Sequence, residues 1–174
     1  MPQIVFLRGV NVGGHRTFSP AALARALAEL DVVNIAAAGT FVVRKKIAQA
    51  ALKPAFVNAL KFDAEMMIIP DREVLALFDA DPFASEPGPK EAKRYVTVLA
   101  KPPAKVPELP LVQPAGNKWE VKVFAVRGRF ALSYGRRLGD RVFYPNPLVE
   151  KQLGVAATTR NWNTIEAIVR ILRG

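Results

Sequence analysis

The chain reads as an α+β protein of two subdomains with antiparallel sheets. Three observations predict this. The first 70 residues run strand, helix, strand, strand, helix, strand, the order of a ferredoxin-like βαββαβ unit. A polar stretch, Asp79–Lys93, with three prolines and a glycine, then marks a junction. Beyond it a second series of strands ends in an amphipathic helix. The expected division is residues 1–78, a junction over 79–94, and residues 95–174 packed against the first part.

Ile4–Leu7 is an apolar run that reads as a buried strand, and the strand extends over Ile4–Arg8 to the glycine that follows. Gly9–Phe18 is a glycine-rich loop. Ser19 and Pro20 then give a helix start, serine as the cap and proline in the first turn. The helix over Ala21–Leu30 carries Leu23, Leu27 and Leu30 on one face. Val32–Ala38 and Thr40–Arg44 are strands, with Gly39 making the turn between them. Ile47–Leu60 is helical in composition but contains Pro54. Either the helix begins near Lys53 or it kinks at the proline. Ala64–Ile69 closes the first unit as its fourth strand.

Asp71–Phe78 is a short helix. Tyr95–Ala100 is a strand, and Lys101–Pro114 is too rich in proline for a regular helix. Trp119–Val126 alternates as a strand should, Trp119, Val121, Val123 and Ala125 on one face and Glu120, Lys122 and Phe124 on the other. Gly128 turns the chain into a partner strand, Phe130–Tyr134, and Val142–Tyr144 is a candidate third. Pro147–Leu153 is a short helix stopped by Gly154. The last helix starts near Asn163, with Glu166 three residues on in capping-box spacing. Ile165, Ile168, Val169 and Leu172 give it an apolar stripe.

Composition narrows the function classes. The chain has 174 residues, is 51% hydrophobic, and carries a net charge of +10. It has no run long and apolar enough to span a membrane. Its N-terminal apolar run is short for a signal peptide and has no basic residues before it. Cysteine is absent, which removes disulfides, thiol chemistry and cysteine zinc sites and fits the reducing cytoplasm. Residues 1–62 hold eight Lys/Arg against two Asp/Glu, a net +6; residues 63–94 hold four against eight, −4; residues 95–174 hold thirteen against five, +8. Basic termini and an acidic middle suit an anionic partner, either a phosphorylated small molecule or nucleic acid.

Two stretches concentrate chemistry. In the first, Leu7-Arg8-Gly9-Val10-Asn11-Val12-Gly13-Gly14-His15, a glycine loop joins a strand to a helix start, the setting in which backbone N–H groups converge on an anion. Arg8, the lone histidine His15, and Arg16 add positive charge or donors. The spacing matches neither a P-loop nor a dinucleotide fingerprint. The structural alternative is a tight loop whose glycines supply positive φ. In the second, Ala157–Thr164, Arg160 can hold a phosphate bidentately and Trp162 offers a stacking face. Helix capping and core packing account for part of that stretch. Together Arg8, Asn11, Gly13, Gly14, His15, Arg16, Arg160, Asn161, Trp162 and Asn163 are the candidate ligand-binding residues. The two stretches are expected to meet in space.

Other chemistries find less support. Phe6 and Phe41 could stack bases, as in RNA-recognition sheets, but both lie in apolar runs that belong in a core. The acids Asp71, Glu73, Asp79 and Asp81 have no histidine near them, so neither a metal nor a cofactor is expected. No acid/base pair identifies a reaction. The reading is therefore a binding domain for a phosphate-bearing ligand, a nucleotide or nucleic-acid backbone. The alternatives are a hydrolase or transferase using His15 as base, and a protein-interaction module whose motifs only lock the fold.

The first stretch taken with Thr158-Thr159-Arg160-Asn161-Trp162-Asn163-Thr164 resembles a bacterial family of domains of unknown function. Its members open with LRG-[IV]-NVGG and close with TTRNWNT. Asp81-Pro82-Phe83 is similar to that family's Asn-Pro-Phe junction. The resemblance implies two intertwined ferredoxin-like subdomains and no established activity. One turn departs: Ala38-Gly39-Thr40 stands where the family has Ser-Gly-Asn.

Overall fold

The computed structural model describes residues 1–11, 14 and 16–174, and divides into two compact units. One comprises Met1–Asp79 together with Asn163–Gly174; the other is Ala80–Trp162. The last helix thus belongs with the first unit, not with residues 95–162 as the sequence division had it.

The first unit is built on β1 (Gln3–Leu7), whose five residues are all buried. It pairs antiparallel with β3 (Thr40–Val43) and with β4 (Met66–Pro70), Val5 facing Phe41 on one side and Ile68 on the other. β2 (Val32–Ile35) adds to β3, giving the order β2-β3-β1-β4. α1 (Pro20–Ala26) starts as expected: Ser19 Oγ accepts the N–H of Ala22, and Pro20 is the first helical residue. It is shorter than the predicted helix, because Ala28–Leu30 tightens into a 3₁₀ turn ending at left-handed Asp31. α2 (Gln49–Leu60) keeps Pro54 inside an unbroken helix, so it begins before Lys53. Proline removes the bond to the carbonyl of Ala50, and both residues are exposed, where water can replace it. Val5, Leu7, Phe41, Val43 and Ile68 from the sheet meet Leu23, Leu27, Leu52, Phe56 and Leu60 from the helices in one core. The rings of Phe41 and Phe56 meet edge to face at 5.5 Å. α3 (Asp71–Asp79) follows β4 directly.

The second unit opens with a short helix, α4 (Pro82–Ser85), inside the stretch expected to be junction; it forms because Pro82 and Phe83 are buried. The strands are β5 (Lys93–Leu99), β6 (Leu111–Gln113), β7 (Val121–Arg127), β8 (Phe130–Gly135) and β11 (Ala157–Asn161). They form one antiparallel sheet, ordered β11-β5-β8-β7-β6. Four of them repeat the order of the first sheet, with the prolines of 101–114 and the short β6 where the first unit has a helix. β9 (Arg137–Leu138) and β10 (Arg141–Val142) make a separate hairpin, so of the candidate strand at Val142–Tyr144 only Val142 pairs, and it pairs there. α5 (Asn146–Leu153) ends at left-handed Gly154, as the sequence predicts.

β7 departs from its expected alternation. A bulge at Phe124 breaks the register between Val123 and Ala125. The extra residue flips the faces, so Val126, not Ala125, joins Val121 and Val123 against Leu148, Val149 and Leu153 of α5. α6 (Trp162–Arg173) begins one residue before Asn163, which removes Asn163 from the cap position of the expected capping box. Arg173 pairs with Asp79 and lies over Phe78, tying the helix end to its unit. Among the described residues no helix is long and apolar enough to cross a membrane.

Candidate functional site

The loop after β1 starts from a fixed base. The N–H of Arg8 donates to the carbonyl of Glu65 at 2.9 Å, and its guanidinium reaches both carboxylate oxygens of Glu65 at 3.2 Å. Glu65 lies 57 residues away in the chain, and sequence reasoning did not pair the two. The backbone is left-handed at Gly9, Asn11, Gly14 and Arg16. Asn11 closes the loop: its Oδ1 accepts the N–H of Phe18 at 2.9 Å, its Nδ2 donates to the carbonyl of Ala37 at 3.3 Å, and its N–H donates to that of Arg16. Asparagine suits this post because it tolerates φ of +54° and offers both a donor and an acceptor. Gly14 and Arg16 are exposed. Gly13 and His15 lie outside the described residues.

The turn between β2 and β3 braces this loop. The N–H of Leu7 donates to the carbonyl of Gly39 at 2.8 Å. Gly39 has φ of +72°, and a Cβ there would sit 2.9 Å from Leu7 Cβ and Val10 Cγ2. Glycine is therefore required on two counts, conformation and space.

The second stretch is a strand and a helix start. In β11, Thr158, Thr159 and Arg160 face Val98, Thr97 and Val96 of β5. Thr159 donates its hydroxyl proton to Asn146 Oδ1 at 2.9 Å, leaving Thr97 to donate to Thr159 at 2.8 Å. Arg160 is 6% exposed, and its Nη1 donates to Thr158 Oγ1 at 2.7 Å and to the carbonyl of Thr159 at 2.9 Å. Burial pulls its pKa down to about 10. Trp162 is buried, its ring edge-on to Phe83 at 5.0 Å. Phe83 also meets Phe124 and Tyr134, and Arg94 lies over its ring. Tyr134 donates to the carbonyl of Glu86 at 2.7 Å, and burial raises its pKa. Only Asn161 and Asn163 of this stretch are exposed. The expected meeting of the two stretches turns on Gly13, outside the described residues.

Among the described residues no group of three His, Asp or Glu could hold a metal ion. A groove of about 290 Å³ lies between β6 and α5, lined by Val112, Gln113, Pro147, Leu148, Lys151 and Gln152, none a predicted site residue.

The comparisons with known proteins follow the same pattern of fold without chemistry. The family model described as "Protein of unknown function (DUF1697)" matches residues 1–129. The chain is similar to the solved structure of the conserved bacterial protein SP0830 from Streptococcus pneumoniae. The TM-score is 0.65 at 15% identity, over 98% of each chain. At that identity the likeness is one of fold. No curated protein matches the chain.

Proposed function

Since the chain belongs to the DUF1697 family of unknown function, its own residues must supply the reading, and we propose that it binds a phosphate-bearing ligand at the loop after β1. The ligand is a nucleotide or a nucleic-acid backbone. Gly14 and Arg16 form the contact surface with Arg8 at its base, and Gly13 and His15, outside the described residues, are the further expected donors. The strand orders favour the ferredoxin-like reading of both sheets.

One observation carries the proposal. Asn11 braces the loop from within while Gly14 and Arg16 stay exposed, which leaves the Arg16 cation facing solvent beside a glycine. The pair of Arg8 with Glu65 is one-third and more exposed on its two sides, and such pairs contribute only about 0–1 kcal/mol. An anion can therefore compete for Arg8. Arg160 and Trp162 serve the fold of the second unit, which favours a structural role for the C-terminal motif.

Thermal shift tests this with inorganic phosphate, AMP, ATP and a short oligonucleotide as probes. A ligand at about 100 times its Kd stabilises the native state by about 2.7 kcal/mol. Arg16→Ala should leave the melting temperature unchanged and remove the ligand-induced shift. If no probe shifts the wild type, the loop is a structural device and the module reading replaces this one.

A further inference from the structure

A second basic surface lies at one end of the five-stranded sheet. Lys93 begins β5 and pairs with Gly135 at the end of β8; Val121, which begins β7, pairs with the same glycine. The chain leaves Gly135 into Arg136 and the β9–β10 hairpin. The guanidinium of Arg136 lies 4.0 Å over the ring of Trp119, and its Nη1 donates to the carbonyl of Asn117 at 3.0 Å. The backbone N–H of Arg136 donates to the carbonyl of Glu120. The stack is thus fixed in place. Arg137 and Arg141 are exposed on the hairpin. Phe143 returns so close to Gly135 that a Cβ there would lie 2.6 Å from its carbonyl oxygen. That return delivers Tyr144, 56% exposed, onto Tyr95 at a ring separation of 5.3 Å.

This end therefore carries Lys93 at the start of β5 and Arg136, Arg137 and Arg141 on the chain that leaves β8, with Lys118 and Glu120 beside Trp119 in sequence and Asp140 in the hairpin. The Asp140 side chain is fully exposed and 4.0 Å from Arg137. Two aromatic rings belong to the same end, Trp119 under Arg136 and the exposed Tyr144 on Tyr95. We infer that this end of the second unit binds single-stranded nucleic acid, its arginines on the phosphates and its rings against unstacked bases. Cations spaced over several residues match a phosphodiester chain better than one phosphate group. Arginine with stacked aromatics is the chemistry of single-strand binding. A lipid surface would call for exposed aliphatic side chains, and among the described residues the exposed large apolar ones are Met1, Val106 and Tyr144. The surface shares no residue with the loop after β1.

Fluorescence anisotropy with labelled oligo(dT) and oligo(U) of about 20 nucleotides tests it. Wild-type binding should weaken steeply as salt rises from about 50 to 200 mM. The double variant R137Q/R141Q should bind at least roughly tenfold more weakly, with a salt slope smaller by about 1.4, two phosphate contacts on a single strand. Tyr144→Ala should weaken binding roughly fivefold or more, the loss of one stacked base. Both should melt as the wild type does. Lys93→Gln, at an exposed position outside the hairpin, keeps the test decisive should the double variant disturb its fold. The inference is overturned if the wild type binds no oligonucleotide at about 50 mM salt. It is equally overturned if R137Q/R141Q and Lys93→Gln bind like the wild type, if duplex is preferred to single strand, or if only phosphatidylserine vesicles are bound. Loss of binding with Arg16→Ala alone would assign the oligonucleotide to the loop and overturn it too.

Discussion

Arg160 is the residue whose chemistry and position disagree most. A guanidinium has five donors and a charge that water solvates well, yet this one is 6% exposed on a strand. Its bonds to Thr158 and Thr159 keep it there. Arg160→Ala would leave a cavity and take from both acceptors the hydrogen bond that Arg160 donates. The expected cost is about 2–4 kcal/mol, read as a drop of roughly 5–15 °C in Tm for a chain of this size. An unchanged Tm would show that the side chain is held for a ligand instead. The pH dependence has a definite sign. With its folded pKa lowered by burial to about 10 from the ordinary arginine value, the folded chain releases this proton before the unfolded chain does. Between those values Arg160 therefore makes stability rise with pH, and below about 10 it contributes no pH dependence. Trp162 follows the same logic: an indole edge-on to Phe83 belongs to an aromatic core.

At the scale of elements, the turn between β2 and β3 couples a sheet to the candidate loop. Gly39→Ala would place a methyl group 2.9 Å from Leu7 Cβ and Val10 Cγ2 in a left-handed backbone. Strain and overpacking together should cost about 2–5 kcal/mol, seen as a lower urea midpoint with the m-value unchanged. A stability within about 0.5 kcal/mol of wild type would mean that the turn relaxes freely. Which elements were legible in the sequence follows from what each one buries. β1, β3 and β4 are buried on both faces and read as continuous apolar runs. The serine cap of α1 and the glycine stop of α5 were legible because each is a local rule. β11 was not, since Thr158-Thr159-Arg160 buries polar side chains that only long-range partners satisfy. The bulge at Phe124 was hidden for the same reason: it exists only relative to β8. The loop's basic residues were visible, but the bracing role of Asn11 depends on Phe18 and Ala37, brought to it by the fold.

For the whole molecule, the two sheets repeat one strand order while the chain crosses from the first unit to the second and returns for its last helix. Residues far apart in sequence thus complete one unit, so stability of the N-terminal unit depends on the C-terminal twelve residues of the chain, Asn163–Gly174. Ile165, Ile168 and Val169 are buried there. Burying three such side chains contributes about 4–9 kcal/mol, comparable to the whole stability of a domain. Ending the chain at Trp162 should therefore unfold the first unit selectively. Hydrogen exchange should report lost protection for the amides of β1 and β3, while β5 and β8, central in the other sheet, retain theirs. Loss of protection in β5 and β8 with β1 intact would place the helix with the second unit instead. Uniform loss across both sheets would mean that the two units unfold as one cooperative body.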